Sequence, residues 1–306
     1  MSEVSTSRRL EVVSESKAGP VDSRRSRSRH IRIPLHVWVS FIILGAFTVS
    51  AAAAPWLAPH DPISPNLMAR NRPPFWMASG ETEYLLGTDQ LGYDLLSRTL
   101  FGARPALTIG LSAAAIGLLL GTLAGMVAGY YRGLVDHAVM LLAEAQLASP
   151  FLVVAIAVIA VVGQSIWVLV ILAGISAWPA VARAVRAQVV SLREREFVMA
   201  SRALGAGDFW ILTRHVLPNL LWLVIVVVTI QLRGLILFEA FLSFLGLGVP
   251  PPQASWGSMI DAGRQYLVTS WWISAVPGMA LVLTVVSISL IGDWLRDVLD
   301  PTLRQP

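Results

Sequence analysis

Six stretches of the chain, residues 36–54, 105–129, 138–162, 166–182, 217–238 and 272–291, each run for about 20 residues with few or no charges. In lipid, an apolar run of that length has one stable solution, a helix that satisfies its backbone N–H and C=O groups internally. The chain therefore reads as an all-α membrane protein with six transmembrane helices. Its composition agrees: 55% of residues are hydrophobic and only 14% are charged, far fewer charges than an ordinary soluble domain carries.

The basic residues sort by side. Eight fall in residues 1–35, Arg132 follows the second span, six lie between Arg183 and Arg214, and Arg296 and Arg304 follow the last span. The alternate segments hold only Arg70, Arg72, Arg98, Arg104 and Arg264, and Arg233 lies within a span. This asymmetry places both termini in the cytoplasm. Topology thus explains the net charge of +4 without a nucleic-acid partner. There is no cysteine, which excludes disulfides, thiolate metal sites and Cys nucleophiles. The five histidines are scattered singly, with no zinc-like spacing, so no metal site is expected.

Three regions follow. Residues 1–35 form a basic, Ser- and Arg-rich cytoplasmic tail with the composition of disorder. The first span reads as an uncleaved anchor rather than a signal peptide, because the preceding tail is long and Pro55 would follow the cut at "AAAAPW". Residues 36–104 add a Pro-rich extracytoplasmic loop whose end, "GTDQLGYDLLSRTLFGAR", predicts an interfacial helix capped by Asp89, with Leu91, Leu95, Leu96 and Leu100 on one face. Residues 105–302 carry the remaining spans.

Within them, Gly117, Gly121, Gly125 and Gly129 recur every four residues. They form either a stripe for close helix packing or the glycine content common to membrane helices. Glu144, with Gln146 and Pro150, interrupts the third span. Such a carboxylate must face the bundle, a cavity or the boundary. Gln231 and Arg233 lie in the fifth span and Glu239 near its outer end. With Glu144 they are the candidate pathway-lining residues, although Arg233 is also within snorkelling reach of the headgroups. The stretch from 244 to 267 should fold on the outer mouth, partly re-entrant.

The stretch "EFVMASRALGAGDFWILTRHVLPN", 196–219, is neither apolar enough to span nor loose enough to be a linker. Phe197, Ala200, Ser201 and Leu204 form a small-residue helical face. Gly205 and Gly207 break the helix, Asp208 can cap a second one, and Pro218 marks the start of span five. A helix, glycine turn and helix between spans four and five would either lie on the membrane or sit in another protein's groove and pass that protein's movement into both spans.

The same stretch resembles the cytoplasmic loop motif of binding-protein-dependent ABC importer permeases, Glu-Ala-Ala, three residues, Gly, a spacer, then Leu-Pro. Ala200, Gly205, Leu217 and Pro218 match; Met199 stands where the motif has Glu and Ser201 where it has the second Ala. "GTDQLGYDLLSRTLFGAR", "EAFLSFLGLGVPPPQASWG" and "GDWLRDVLDP" are similar to the dipeptide/oligopeptide/nickel branch, second ("C") permease subunit, over residues 35–302. Tyr93 stands where that branch often has Arg.

The resemblance implies an inner-membrane permease paired with a homologous second permease. Two cytoplasmic ATPases would drive the pair, and an extracytoplasmic binding protein would feed it peptide, or else nickel or another small solute. It also implies an ATPase-coupling loop at about 190–218, using Glu196, Phe197, Ala200, Ser201, Leu204, Gly205, Leu217 and Pro218. The chain's one lysine is Lys17, which no P-loop sequence surrounds. ATP and Mg²⁺ would therefore serve the partner ATPases, with no cofactor in this chain. An ion-coupled secondary transporter would need acidic residues or broken helices in two related halves. A membrane enzyme would need a metal cluster or paired carboxylates. Neither pattern stands out.

Overall fold

The structure, a computed structural model, describes residues 33–299. The expected tail lies outside them up to Arg32. The helices are α1 (Leu35–Leu57), α2 (Leu95–Tyr131), α3 (Gly133–Ala148), α4 (Phe151–Val162), α5 (Ile166–Arg193), α6 (Glu196–Ala203), α7 (Asp208–Ile211), α8 (Leu217–Phe244), α9 (Trp256–Gly263) and α10 (Trp272–Leu299). No strand occurs among the described residues; Thr88 and Asp94 form one isolated bridge. Five helical segments are long and apolar enough to cross a membrane, and α3 with α4 makes a sixth candidate broken by an 82° bend.

The expected interfacial helix is not a separate element. Its residues from Leu95 onward are the first turns of α2, which continues through Pro105 to Tyr131. The N-cap is Asp94, whose carboxylate accepts from the Ser97 backbone N–H at 2.9 Å and from its hydroxyl at 2.6 Å. Asp89 instead turns the loop before it, accepting from the backbone N–H groups of Leu91 and Tyr93 and pairing with Arg98 at 3.2 Å. Pro105 removes one backbone donor, and the helix tolerates that loss.

A second proline explains how α1 is tied to α2. Pro55 lies inside α1 and has no N–H to give the carbonyl of Ala51. Arg104 reaches across from α2, donating from Nε to Ala51 O and from Nη2 to Ala52 O. Nearby, fully buried Trp256 donates to Thr99 O at 3.0 Å and packs edge-on against Phe47. One apolar cluster thus joins α1, α2, α9 and α10.

The centre of the bundle is the α2–α5 pair. A Cβ placed on Gly117, Gly121, Gly125 or Gly129 would lie 2.6, 2.5, 2.8 or 2.9 Å from the Cβ of Ala177, Val181, Val185 or Val189 respectively. Both residue numbers rise together, so the helices run parallel with their backbones nearly touching. A parallel pair requires the chain between them to return to the starting side. α3 and α4, the broken sixth candidate, supply that return.

That break corrects the expected continuous third span. Pro150 pushes Ser149 into extended backbone (φ −86°, ψ 142°), as the ring's clash with the preceding residue requires. Gln146 then braces the corner, donating to Ile175 O at 2.7 Å and accepting from Trp178 Nε1 at 2.8 Å.

Candidate functional site

The chain between α5 and α8 forms a knuckle. α6 ends in a Schellman turn, with Ala206 N–H bonded to Ser201 O and Gly205 N–H to Arg202 O. Gly205 takes the left-handed conformation this closure needs (φ +80°). Gly207, not Asp208, occupies the N-cap position of α7. The second helix is also no separate element: α7 passes through a wide π turn at Leu212–Val216 straight into α8. The missing N–H of Pro218 falls directly after that widened turn, and Asp208–Phe244 becomes one long helix.

The residue that anchors α6 is Val198, which is fully buried with Ile211, Leu212, Val216 and Leu220 against Met126, Val185 and Val189. The expected face points the other way. Phe197, Ala200 and Leu204 are exposed, and so are Glu196, Gly205 and Pro218; Leu217 is half-buried. Ser201 is half-buried because its hydroxyl lies 3.1 Å from Nε2 of His215, whose ring is wedged between Phe197 and Trp210. Met199, Phe209 and Trp210 join Leu204 on the outer surface; Leu204 is 89% and Phe209 80% exposed. The knuckle therefore has a dry underside fixed to three spans and an apolar crown facing away from them.

Tyr130, at the end of α2, locks this arrangement. Its hydroxyl donates to Asp208 Oδ1 at 2.6 Å and accepts from Arg202 Nη2 at 3.0 Å. Its carbonyl accepts from Arg193 Nη1. The guanidinium groups of Arg193 and Arg202 lie 5.7 and 5.5 Å from its ring centre, within cation–π range. The Tyr130 hydroxyl holds the Arg202 pKa above the ordinary arginine value. Sequence reasoning missed Tyr130 and Val198. The tyrosine is separated from Asp208 by 78 residues, a distance at which no local pattern operates.

The four candidate pathway residues are not brought together. Glu144 is exposed on α3 beside a cavity shared with α5. Gln231 reaches Ala177 O at 3.5 Å, and Arg233 reaches Ser289 Oγ at the same distance. Glu239 is only 1% exposed. It accepts from Ser243 Oγ at 2.6 Å, and this serine also receives Val249 N–H, so the glutamate braces the loop after α8. The described residues include no cluster of three or more His, Asp or Glu able to hold a metal.

Comparisons with known proteins agree with this architecture. Residues 117–305 match the family described as binding-protein-dependent transport system inner membrane component. Residues 37–74 match the N-terminal TM domain of oligopeptide transport permease C. The di/tripeptide transport system permease protein DppC of Pseudomonas aeruginosa (strain UCBPP-PA14) is 42% identical over 86% of this chain and 86% of its own length. The dipeptide transport system permease protein DppC of Bacillus subtilis (strain 168) is 37% identical over 87% and 81%. Among solved structures, an inward-facing MetNI methionine ABC transporter chain matches with a TM-score of 0.54 at 20% identity, over 67% of this chain and 97% of that one; at that identity the likeness concerns the fold alone. With a family match over more than half its length and relatives above 30% identity, this chain belongs to the inner membrane components of binding-protein-dependent transport systems.

Proposed function

We propose that the chain is the second permease subunit of an ATP-binding-cassette importer for short peptides, set in the inner membrane with both termini in the cytoplasm. Six crossings put the two ends on one side, and the distribution of arginine selects the cytoplasm for them. The peptide substrate is favoured by the DppC relatives. A homologous permease completes the pathway, an extracytoplasmic binding protein delivers peptide, and two ATPases supply ATP hydrolysis with Mg²⁺.

The observation that carries this reading is the two-sided knuckle. An exposed cluster of Phe197, Met199, Leu204, Phe209 and Trp210 is a surface suited to a protein groove, and its fixed underside transmits displacement to α2, α5 and α8. ATP-driven closure of the ATPases would move the knuckle, tilt these helices and open the cavity outward. Hydrolysis would reverse the motion, with the energy coming from the nucleotide's different affinities for the two states.

Cysteine crosslinking tests the assignment, since the chain has no cysteine of its own. Leu204→Cys in the assembled importer is expected to crosslink to an ATPase subunit, and Leu119→Cys on the exposed face of α2 is not. Crosslinks from position 204 only to lipid probes would remove the coupling role.

Tyr130→Phe tests the lock. It deletes a hydroxyl bonded to a carboxylate, an interaction worth about 1.5–3 kcal/mol when well shielded and less at this partly open site. The importer should assemble and bind nucleotide normally, but move several-fold less peptide per ATP hydrolysed. An unchanged ratio of uptake to hydrolysis would show that the hydroxyl only stabilises the fold.

A further inference from the structure

Two charges that share one cavity, Glu144 and Arg183, form no ion pair among the described residues. Glu144 stands on α3 and Arg183 on α5. Both are exposed, and both line one cavity of about 500 Å³ between these helices. Asp136 and Arg186 line it as well and pair with each other, Arg186 Nε and Nη2 taking both carboxylate oxygens of Asp136, while Glu144 is near enough to act on Arg186 through space without bonding it. An exposed cation and an exposed anion on one wall suit a wet cavity or a partner better than lipid.

The spacing is informative. Taking the Asp136–Arg186 pair as a common level, Arg183 lies three residues deeper on α5 and Glu144 eight residues deeper on α3. At a rise of about 1.5 Å per residue these steps are roughly 4.5 and 12 Å. Arg183 and Glu144 are thus offset along the helices by about 7 Å, the extended length of two residues. One is a cation and one an anion, as are the two ends of a short peptide. His137, whose Nδ1 lies 2.8 Å from Gly133 O, Met140 and Leu141 complete the wall, and a flexible thioether accommodates side chains of different shape.

We infer that this cavity is a passage site for short zwitterionic peptides, in which the Arg183 guanidinium receives the terminal carboxylate and the Glu144 carboxylate the terminal ammonium. The inference rests on the peptide-importer reading and deepens it. A planar guanidinium suits a carboxylate bidentately, and a metal cation would leave Arg183 without a counter-charge. Binding at an open, hydrated cavity is weak, as a site on a transport route requires for release.

The test uses the complete importer in proteoliposomes, with its binding protein and with no other reactive thiol. Arg183→Cys is expected to lower dipeptide uptake by about tenfold, the effect of losing one charge-assisted hydrogen bond. Binding-protein-stimulated ATP hydrolysis should persist. Attaching an aminoethyl group through a methanethiosulfonate reagent should restore uptake, whereas a sulfonatoethyl group should not. Glu144→Gln should lower uptake similarly.

Wild-type uptake by Arg183→Cys, or equal effects of the two reagents, would overturn the inference. So would a loss that follows the anionic lipid content of the vesicles, which would make Arg183 a headgroup contact. If the wild-type importer moves no peptide at all, the functional reading fails together with this one. Peptide uptake with any of the other contrary results removes only the passage site.

Discussion

Gly205→Val is expected to leave the chain folded and the importer assembled while uptake falls roughly tenfold or more. Gly205 has φ +80°, and a Cβ built there meets nothing within 4 Å. The penalty is therefore conformational. A residue other than glycine held in a sparsely populated backbone region costs about 1–3 kcal/mol, and a β-branched side chain sits at the unfavourable end. Unwinding the last turn of α6 relieves that strain, because Val198 and the buried cluster beneath can stay in place. Leu204 and its neighbours then leave their docked positions. Restoring those positions on each cycle would demand about 2 kcal/mol, enough to deplete the docked state by more than tenfold.

A graded series separates this cause from simple bulk. Asn enters the left-handed region more readily than Ala or Val. If backbone conformation governs coupling, uptake should rank Asn above Ala above Val. If clearance against a docked ATPase governs it, Ala should exceed Asn. Both orders keep the knuckle in the coupling role. Wild-type uptake and stimulated ATP hydrolysis in purified Gly205→Val importer would remove it.

The spans were legible because lipid imposes a length and a polarity on any crossing segment, whatever it packs against. The limits of that reading are physical as well. Pro150 announced a perturbation in the third span, but a proline alone does not say whether a helix kinks or turns through 82°. Pro105 and Pro218 carry the same local signal, yet lie inside continuous helices: a π turn precedes Pro218, and α2 runs on past Pro105 with one donor fewer. The apolar positions of α6 showed two sides without ranking them. Val198 faces inward and Phe197 outward because α2 and α5 leave room for a small branched side chain beneath the knuckle, and that space depends on residues far away in sequence. Arg104 illustrates the same limit: only the folded structure shows it answering the carbonyl orphaned by Pro55.

Gly121→Leu is expected to be more damaging than any change in the knuckle, and in a different way. At Gly121 an added Cβ would lie 2.5 Å from Val181 Cβ and 2.7 Å from the backbone oxygen of Trp178. The carbonyl cannot swing aside as a side chain could, so α2 and α5 must separate. Overpacking a well-packed site typically costs 1–3 kcal/mol, and prising apart two helices in continuous contact should reach about 3 kcal/mol or more. In lipid this contact has no hydrophobic effect behind it; close backbone approach and dispersion are what hold such helices together. Separation would also open the neighbouring contacts of Gly117 and Gly125, because the stripe is one continuous seam. The expected result is loss of monodisperse protein in detergent and a lowered unfolding temperature, with Gly121→Ala intermediate. Ala115→Leu, an enlargement on the exposed face of the same helix, should leave both measurements unchanged. Equal tolerance at positions 115 and 121 would mean that the α2–α5 seam is not what holds this bundle together.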